Sequence, residues 1–285
     1  MEFYLSGLGN MYGNLDHIKK AVVEADRLGF DGALMPDHYM WGAMGGHAVQ
    51  DGYSTLETWV TLTYLAAKTE NISLGTLVTP IPFRSPGMLA KMISTLDVLS
   101  NGRVVLGVGA GWSQVEFEGY SEWDRPGVRV NKTKEGLELM IRLWTEDKVT
   151  FKGKYYEAKG AVLKPKPVQK PYPRLLFGGT GDRMLRLAGR YSDICYIPMW
   201  MTRGNIDEAR TKVRTAAKKA NREDKVAFMA GAMGALGSVD VGEYSKMVEA
   251  AQESGARYYM VGFPQGEGYL DAMKSFAKEV MPSYH

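Results

Sequence analysis

An acid and an imidazole stand side by side at Asp37 and His38, directly after the apolar run at residues 30–35. An imidazole exchanges protons near neutral pH, and a nearby carboxylate can hold it in its charged form. The aromatic residues Tyr39 and Trp41 follow, and flat rings suit a planar ligand. We therefore predict Asp37 and His38 as catalytic residues. The alternative is that Asp37 caps a loop and His38 is simply exposed.

A glycine-rich turn at residues 178–182 separates a short apolar run from a segment of helical period. Glycines let the backbone approach a ligand closely, and the N-terminus of a helix presents N–H groups with a partial positive charge. The pattern predicts a turn that binds a phosphate group, although similar turns also occur without a ligand. Its residues are Gly178, Gly179, Thr180, Gly181 and Asp182.

A second glycine run, at residues 107–111, precedes Trp112 and Glu116. Its spacing is G-x-G-x-G, which differs from the GxGxxG fingerprint of dinucleotide-binding folds. No acidic residue closes a later strand in the way that this fingerprint requires. By itself the run indicates only a tight turn from a strand into a helix, with Trp112 packed underneath.

Composition argues against several other classes of function. A formal net charge of +3 over 285 residues gives no electrostatic footprint for nucleic acid or an anionic membrane. None of the four histidines has a metal-ligand spacing, so we expect no metal site. Cys195 is the only cysteine, which rules out an internal disulfide. With no apolar run long enough to span a membrane and no signal peptide at the start, we expect a cytoplasmic protein.

Short apolar runs alternate with longer segments of helical period, which is the pattern of repeated βα units. Eight strands are predicted, at residues 3–8, 30–35, 72–79, 104–108, 175–177, 194–197, 226–232 and 258–261. Eight helices are predicted, at residues 14–28, 56–63, 85–99, 131–146, 182–190, 205–220, 243–253 and 270–280. Eight such units predict a closed α/β fold, the (β/α)8 TIM barrel, and an open doubly wound sheet is the alternative.

The candidate residues all follow predicted strands. In a TIM barrel the active site lies at the carboxyl ends of the strands, so we expect these residues at one mouth of the barrel. Segments near residues 41–54, 112–130 and 149–173 are predicted insertions, the last beginning with a hairpin around Gly153. We expect a single domain over residues 1–285.

At these strand ends the sequence resembles the luciferase-like monooxygenase superfamily, and within it the branch that uses coenzyme F420, a deazaflavin. The resemblance extends over about residues 1–198 and implies a bacterial luciferase-like TIM barrel with insertions. The stretches that carry it are residues 29–32 with Asp37-His38, residues 74–80 with 84–86, residues 95–103 leading to 107–112, and residues 178–181.

The resemblance implies a cofactor site. A cis peptide bond between Leu77 and Val78, followed by Thr79, would form a bulge behind the central ring of the cofactor. Gly109 would contribute to the same site, and the phosphate of the cofactor would bind the turn at residues 178–182. The cofactor would be coenzyme F420, with FMN as the alternative.

The resemblance also implies a substrate pocket. Asp37 and His38 would face the cofactor or the substrate, with His38 as the proton donor or acceptor. Trp41, Trp112 and Glu116 would line the pocket. Relatives of this branch that oxidise sugar phosphates carry a glutamate at the position of Trp112, which argues against a sugar phosphate as the substrate.

Three functions follow from these patterns. The first is an F420-dependent oxidoreductase that transfers a hydride between the deazaflavin and a small organic molecule, and we expect it to form a homo-oligomer, a dimer. The second is an FMN-dependent monooxygenase that receives reduced flavin from a partner reductase. The third is a barrel that binds a flavin-like ligand without turnover. The presence of His38 at a strand end argues against this third function.

Overall fold

The computed structural model describes residues 1–8, 14–40, 55–202, 205–232 and 240–284. Its strands are β1 (Glu2–Leu5), β2 (Gly32–Met35), β3 (Ser73–Thr76), β4 (Thr79–Pro80), β5 (Val104–Gly109), β6 (Val149–Lys152), β7 (Glu157–Ala161), β8 (Arg174–Gly178), β9 (Ile194–Tyr196), β10 (Ala227–Gly231) and β11 (Tyr258–Val261). Its helices are α1 (Leu15–Arg27), α2 (Thr58–Ala66), α3 (Pro86–Leu99), α4 (Gln114–Tyr120), α5 (Pro126–Thr145), α6 (Asp182–Tyr191), α7 (Ile206–Lys219), α8 (Val241–Glu253) and α9 (Tyr269–Glu279).

Nine parallel strands form the main sheet, in the order β3-β2-β1-β11-β10-β9-β8-β5-β4. Strand β3 also pairs with β5, which joins the two ends of this order and closes the sheet. Strand β4 extends the line of β3 after a two-residue interruption and pairs with the end of β5. If β3 and β4 are counted as one interrupted strand, the barrel has eight strands. This confirms the predicted (β/α)8 barrel and excludes the open sheet.

Two parts of the predicted insertions have defined structure. Strands β6 and β7 form the expected antiparallel hairpin. The segment at residues 112–130 contains the short helix α4, which the apolar pattern does not predict because α4 has only seven residues. Helix α5 begins at Pro126, five residues before the predicted start, because proline suits the first position of a helix.

Side chains that alternate along the strands fill two separate layers. Phe3 and Leu5 of β1 pack outward against the helices, whereas Tyr4 between them points into the barrel. The interior is closed by ten buried side chains, Tyr4, Leu34, Leu77, Val105, Leu176, Ile194, Tyr196, Met229, Tyr258 and Met260. Because the interior is packed, a flat ligand has room only above it, at a mouth of the barrel.

The space for this packing depends on glycines in neighbouring strands. A Cβ atom on Gly32 of β2 would lie 2.2 Å from the ring of Tyr4, so only glycine leaves room for that ring. A Cβ atom on Gly107 of β5 would lie 1.9 Å from the carbonyl oxygen of Thr76. None of the helices in the described ranges is long and apolar enough to cross a membrane.

Candidate active site

His38 and Glu116 form a pair at the carboxyl end of the barrel. His38 follows β2, and Glu116 lies on α4, which follows β5. One carboxylate oxygen of Glu116, Oε2, is 2.6 Å from Nδ1 of His38. The other, Oε1, accepts the backbone N–H groups of Tyr39 at 2.8 Å and Met40 at 2.9 Å. One buried carboxylate therefore fixes both the ring of His38 and the backbone that follows it.

The electrostatics of the pair determine where the proton lies. Burial by itself would raise the pKa of Glu116, but the hydrogen bond and charge of His38 and the N–H of Met40 lower it below its usual value. Glu116 is therefore ionised at neutral pH and accepts a hydrogen bond from Nδ1–H of His38. Nδ1 of His38 is therefore held by the carboxylate, and Nε2 is the ring nitrogen that lies away from it.

This geometry corrects the position expected for Glu116. We predicted that Glu116 lines the substrate pocket, but its side chain is only 1% exposed and both of its oxygens are engaged. It supports His38 from behind instead. The sequence did not reveal the pair because the two residues are 78 positions apart and belong to different βα units.

Asp37 lies in a different network from that of His38. Its carboxylate is fully buried and accepts two hydrogen bonds from Arg84, at 2.6 and 2.9 Å, and one from the hydroxyl of Thr79 at 2.8 Å. Asp37 and His38 therefore have different partners, although they are adjacent in the sequence. Asp37 therefore stabilises the strand end, and the direct proton-transfer role that we predicted for it does not fit this geometry.

Arg84 is a site residue that sequence analysis did not assign. Its guanidinium bridges Asp37 and Glu57, the residue that caps α2, and lies 5.1 Å from the ring centroid of Tyr39. Burial by itself would lower the pKa of Arg84, but its bonds to Asp37 raise it, so the cation stays charged. The signal that could have found it is a buried acid after β2, which requires a counter-cation.

Trp112 lies beside His38. It follows β5, and the edge-to-face contact between the two rings has a centroid distance of 5.7 Å. The side chain of Trp112 is 56% exposed, so it does not pack beneath the turn as the glycine pattern alone indicates. It forms a wall next to the imidazole. Trp41, the other tryptophan predicted for the pocket, lies outside the described residues.

The segment between β3 and β4 has the cis peptide bond at Leu77-Val78 that the resemblance implies. A Cβ atom on Gly109 would lie 2.4 Å from Cγ2 of Val78, and one on Gly178 would lie 2.9 Å from its Cγ1. Both glycines are therefore required for packing against Val78, whatever ligand is bound. Thr79 is fully buried and its hydroxyl bonds to Asp37, so its side chain belongs to the network behind the mouth.

The turn at residues 178–182 joins β8 to α6. Gly179 has φ +138°, which side chains rarely tolerate, and a Cβ atom on Gly179 or Gly181 would meet nothing within 4 Å. Gly181 is the N-cap of α6, and no side chain in the described parts of the chain caps this helix. Nζ of Lys212 donates a hydrogen bond to the carboxylate of Asp182 at 2.7 Å. Asp182 therefore contributes its backbone N–H, and not its side chain, to the turn. An open turn with uncapped N–H groups suits a phosphate.

The chain is thus a closed parallel barrel that has a histidine–carboxylate pair and an open glycine turn, residues 178–182, at the same mouth. It belongs to the luciferase-like monooxygenase family, whose sequence model matches residues 3–267.

Two curated relatives illustrate the range of the family. An F420-dependent glucose-6-phosphate dehydrogenase of Microbacterium testaceum (strain StLB037) is 36% identical over 173 residues, 60% of this chain and 49% of the relative. An FMNH(2)-dependent dimethylsulfone monooxygenase of Pseudomonas putida is 29% identical over 209 residues, 70% of this chain and 54% of the relative. The chain spans about half the length of each of these relatives.

Solved structures share the fold over the whole chain. An F420-dependent secondary alcohol dehydrogenase in complex with an F420-acetone adduct superimposes with a TM-score of 0.82 at 22% identity, covering 100% of both chains. The coenzyme F420 dependent tetrahydromethanopterin reductase of Methanopyrus kandleri superimposes with a TM-score of 0.75 at 19% identity, covering 100% of this chain and 98% of that one. At these identities the likeness concerns the fold.

Proposed function

We propose that this protein is an F420-dependent oxidoreductase that transfers a hydride between the deazaflavin and a small organic substrate. The observation that carries the proposal is the hydrogen-bonded His38–Glu116 pair, which stands at the same barrel mouth as the open glycine turn at residues 178–182. An enzyme that transfers a hydride through a phosphorylated cofactor needs a group that exchanges a proton with the substrate and a group that binds the phosphate of the cofactor. The relatives named F420-dependent dehydrogenases support the same cofactor.

The residues at the mouth fit such a cofactor. Gly179, Thr180 and Gly181, with the first N–H groups of α6, would hold its phosphate, because nothing fills the space that Cβ atoms of the two glycines would take. Leu77 and Val78 would lie against its ring system from below. The packed barrel interior under Val78 prevents the ring from sinking further.

The side chains of the protein would then handle the proton. When bound, coenzyme F420 supplies a ring carbon that accepts or gives a hydride. Nε2 of His38 takes the proton from a substrate hydroxyl in one direction and returns it to a carbonyl oxygen in the other. Ionised Glu116 stabilises the positive charge that His38 gains. Trp112 limits the access of water to the imidazole ring of His38.

The FMN-dependent monooxygenase is the second candidate, supported by the dimethylsulfone monooxygenase among the relatives. It would use the same barrel mouth and phosphate turn. Titrating the apo-protein with coenzyme F420 and with FMN separates the two, with binding followed by quenching of protein fluorescence. We expect tighter binding of the deazaflavin. Micromolar binding of FMN without measurable binding of the deazaflavin would assign the protein to the monooxygenases.

We further propose a single-domain homodimer that works in the cytoplasm. Exposed apolar side chains on α2 and α3, among them Val60 and Met88, support a dimer, since a second copy would cover them. The closed barrel, in which β1 pairs with β11, supports one domain, because strands from the beginning and the end of the sequence are neighbours. The single cysteine suits a reducing compartment.

A further inference from the structure

We propose that the substrate is an uncharged, largely apolar alcohol or ketone, and that Trp112 selects it over a phosphorylated sugar. This inference rests on the proposed function and adds the substrate class to it. It is carried by the exposed ring of Trp112 next to His38, at a place where a phosphorylated substrate would need a cation.

Aromatic side chains form a wall after β2 and β5. Trp112 contacts the ring of His38, and the other members, Tyr39, Phe83, Phe117, Tyr120 and Trp123, contact one another. Tyr39 connects two of these, with centroids 4.8 Å from Phe83 and 4.8 Å from Tyr120. Phe83 and Phe117 are buried, whereas Trp112 is 56% exposed, so Trp112 is the member that presents apolar area to a ligand beside His38. Burial raises the pKa of Tyr39 to about 12, which keeps this ring neutral.

Cations that touch this wall already have partners. Arg84, over the ring of Tyr39, bonds to Asp37 and Glu57. Arg129 lies 3.9 Å from the ring centroid of Trp123, donates to carbonyl oxygens of the neighbouring backbone and is 6% exposed. Within the described residues, neither guanidinium can turn to a phosphate without abandoning a buried acceptor, which is costly.

The charge balance near His38 also disfavours an anion. The carboxylates of Asp37, Glu57 and Glu116 are paired with Arg84 and His38. A dianionic phosphate would add negative charge to a group that already has more carboxylates than cations.

The reaction balances with the groups at the site. In the oxidation direction, the C–H bond of the alcohol breaks and its two electrons leave with the hydrogen as hydride to the bound deazaflavin. The O–H proton passes to Nε2 of His38, and a C=O bond forms. An apolar substrate needs no further charged partner. Its carbon skeleton would lie against Trp112, which is next to His38.

The test compares ketones of increasing apolar area with glucose 6-phosphate. Butanone, cyclohexanone and acetophenone are titrated by calorimetry into the protein alone and into the protein with coenzyme F420, and the same compounds or their alcohols are assayed for turnover. Cyclohexanone has two more carbons than butanone, so we expect it to bind about three- to tenfold more tightly. A negative heat-capacity change should accompany binding.

Two variants locate the effect. Trp112→Glu should weaken cyclohexanone at least tenfold while butanone changes less, and the affinity for coenzyme F420 should stay the same. Arg125→Ala removes an exposed cation at the start of α5 and should leave every ketone unchanged. Tight binding of glucose 6-phosphate that Arg125→Ala abolishes, or no ketone binding at all, would overturn the apolar substrate. Failure to bind the deazaflavin would instead overturn the proposed function, so the two failures are distinguishable.

Discussion

His38 and Glu116 act as one unit at the scale of single residues. A histidine at a strand end is a common feature, but here a buried carboxylate lies 2.6 Å from its Nδ1, so in the proposed reaction the proton would be exchanged at Nε2. The same carboxylate fixes the backbone of Tyr39 and Met40, so the ring cannot change its position independently of the strand end. Asp37 stabilises this end from the other side through Arg84.

Replacing His38 tests the catalytic assignment. His38→Ala should lower kcat by about 10²–10⁴, the usual effect of losing a positioned acid or base. Affinity for the cofactor should change far less, because the turn proposed to bind its phosphate, residues 178–182, lies between β8 and α6. Single-turnover rates and cofactor titrations on the same variant measure the two quantities. A variant that turns over at full speed but binds the cofactor weakly would show that His38 only packs against the ring.

Replacing Glu116 tests its support of His38 through pH. The pKa of Glu116 is lowered in the folded protein, so the pair stabilises the fold above the ordinary glutamate pKa of about 4.3, and this stabilisation is lost as the pH falls further. Glu116→Gln should lower stability at pH 7 by about 1–3 kcal/mol. The difference in Tm between wild type and variant should shrink below about pH 4. The dependence of kcat on pH should also change, which a purely structural role of Glu116 does not predict.

The matched control for that measurement is Glu138→Gln. Glu138 also accepts a hydrogen bond, from the hydroxyl of Tyr191 at 2.8 Å, but it lies on α5 away from His38. Its kcat profile should match that of the wild type. If Glu116→Gln also kept the wild-type profile, the carboxylate would have no influence on the proton of His38.

At the scale of elements, two helices bring the site together. Helix α4 has only seven residues, yet it delivers Glu116 to the end of β2. Helix α6 begins directly after the glycine turn, so its first N–H groups face the mouth. Both helices start at the carboxyl end of a parallel strand, which is where every barrel helix starts.

The start of α6 can be tested with one methyl group. Gly181 has φ −66°, which alanine adopts readily, and an added Cβ would meet nothing in the protein. Gly181→Ala should therefore leave the free energy of unfolding within about 0.5 kcal/mol of wild type. It should weaken cofactor binding by about tenfold, because the methyl group occupies space that the phosphate needs. Gly179 is unsuitable, since its φ of +138° would strain any side chain.

The control for this variant is Gly87→Ala. Gly87 lies in the first turn of α3, and an added Cβ there also meets nothing within 4 Å. Its cofactor affinity should equal that of the wild type. Equal cofactor affinity in Gly181→Ala would remove this turn from the phosphate site.

At the scale of the whole molecule, the proposed dimer is the property to measure. Light scattering should give a mass near twice the 31.6 kDa of one chain. The apolar side chains Val60 of α2 and Met88 of α3 are 67% and 61% exposed, and α2 and α3 pack on each other. Replacing both by glutamate should produce monomers with a native circular dichroism spectrum. A wild type that stays monomeric at micromolar concentration would contradict the dimer.

The repeated pattern of the sequence determined the fold. Eight apolar runs alternating with helical segments predicted the eight barrel strands, and closure followed because parallel βα units of this number wrap around. The sequence also placed His38 and the turn at residues 178–182 at the carboxyl ends of strands, which share one mouth in a parallel barrel. Local patterns suffice here, since strand and helix periods are set by neighbouring residues.

Only the tertiary structure decided which side chains work together. Glu116 meets His38 across 78 residues, and Arg84 meets Asp37 across 47. The sequence placed Asp37 with His38 and left Glu116 in the pocket, because adjacency along the chain is visible and adjacency in space is not. Strand β3 pairs with β2 at one edge and with β5 at the other. This pairing brings the carboxyl ends of β2 and β5 close together, and Glu116 therefore meets His38.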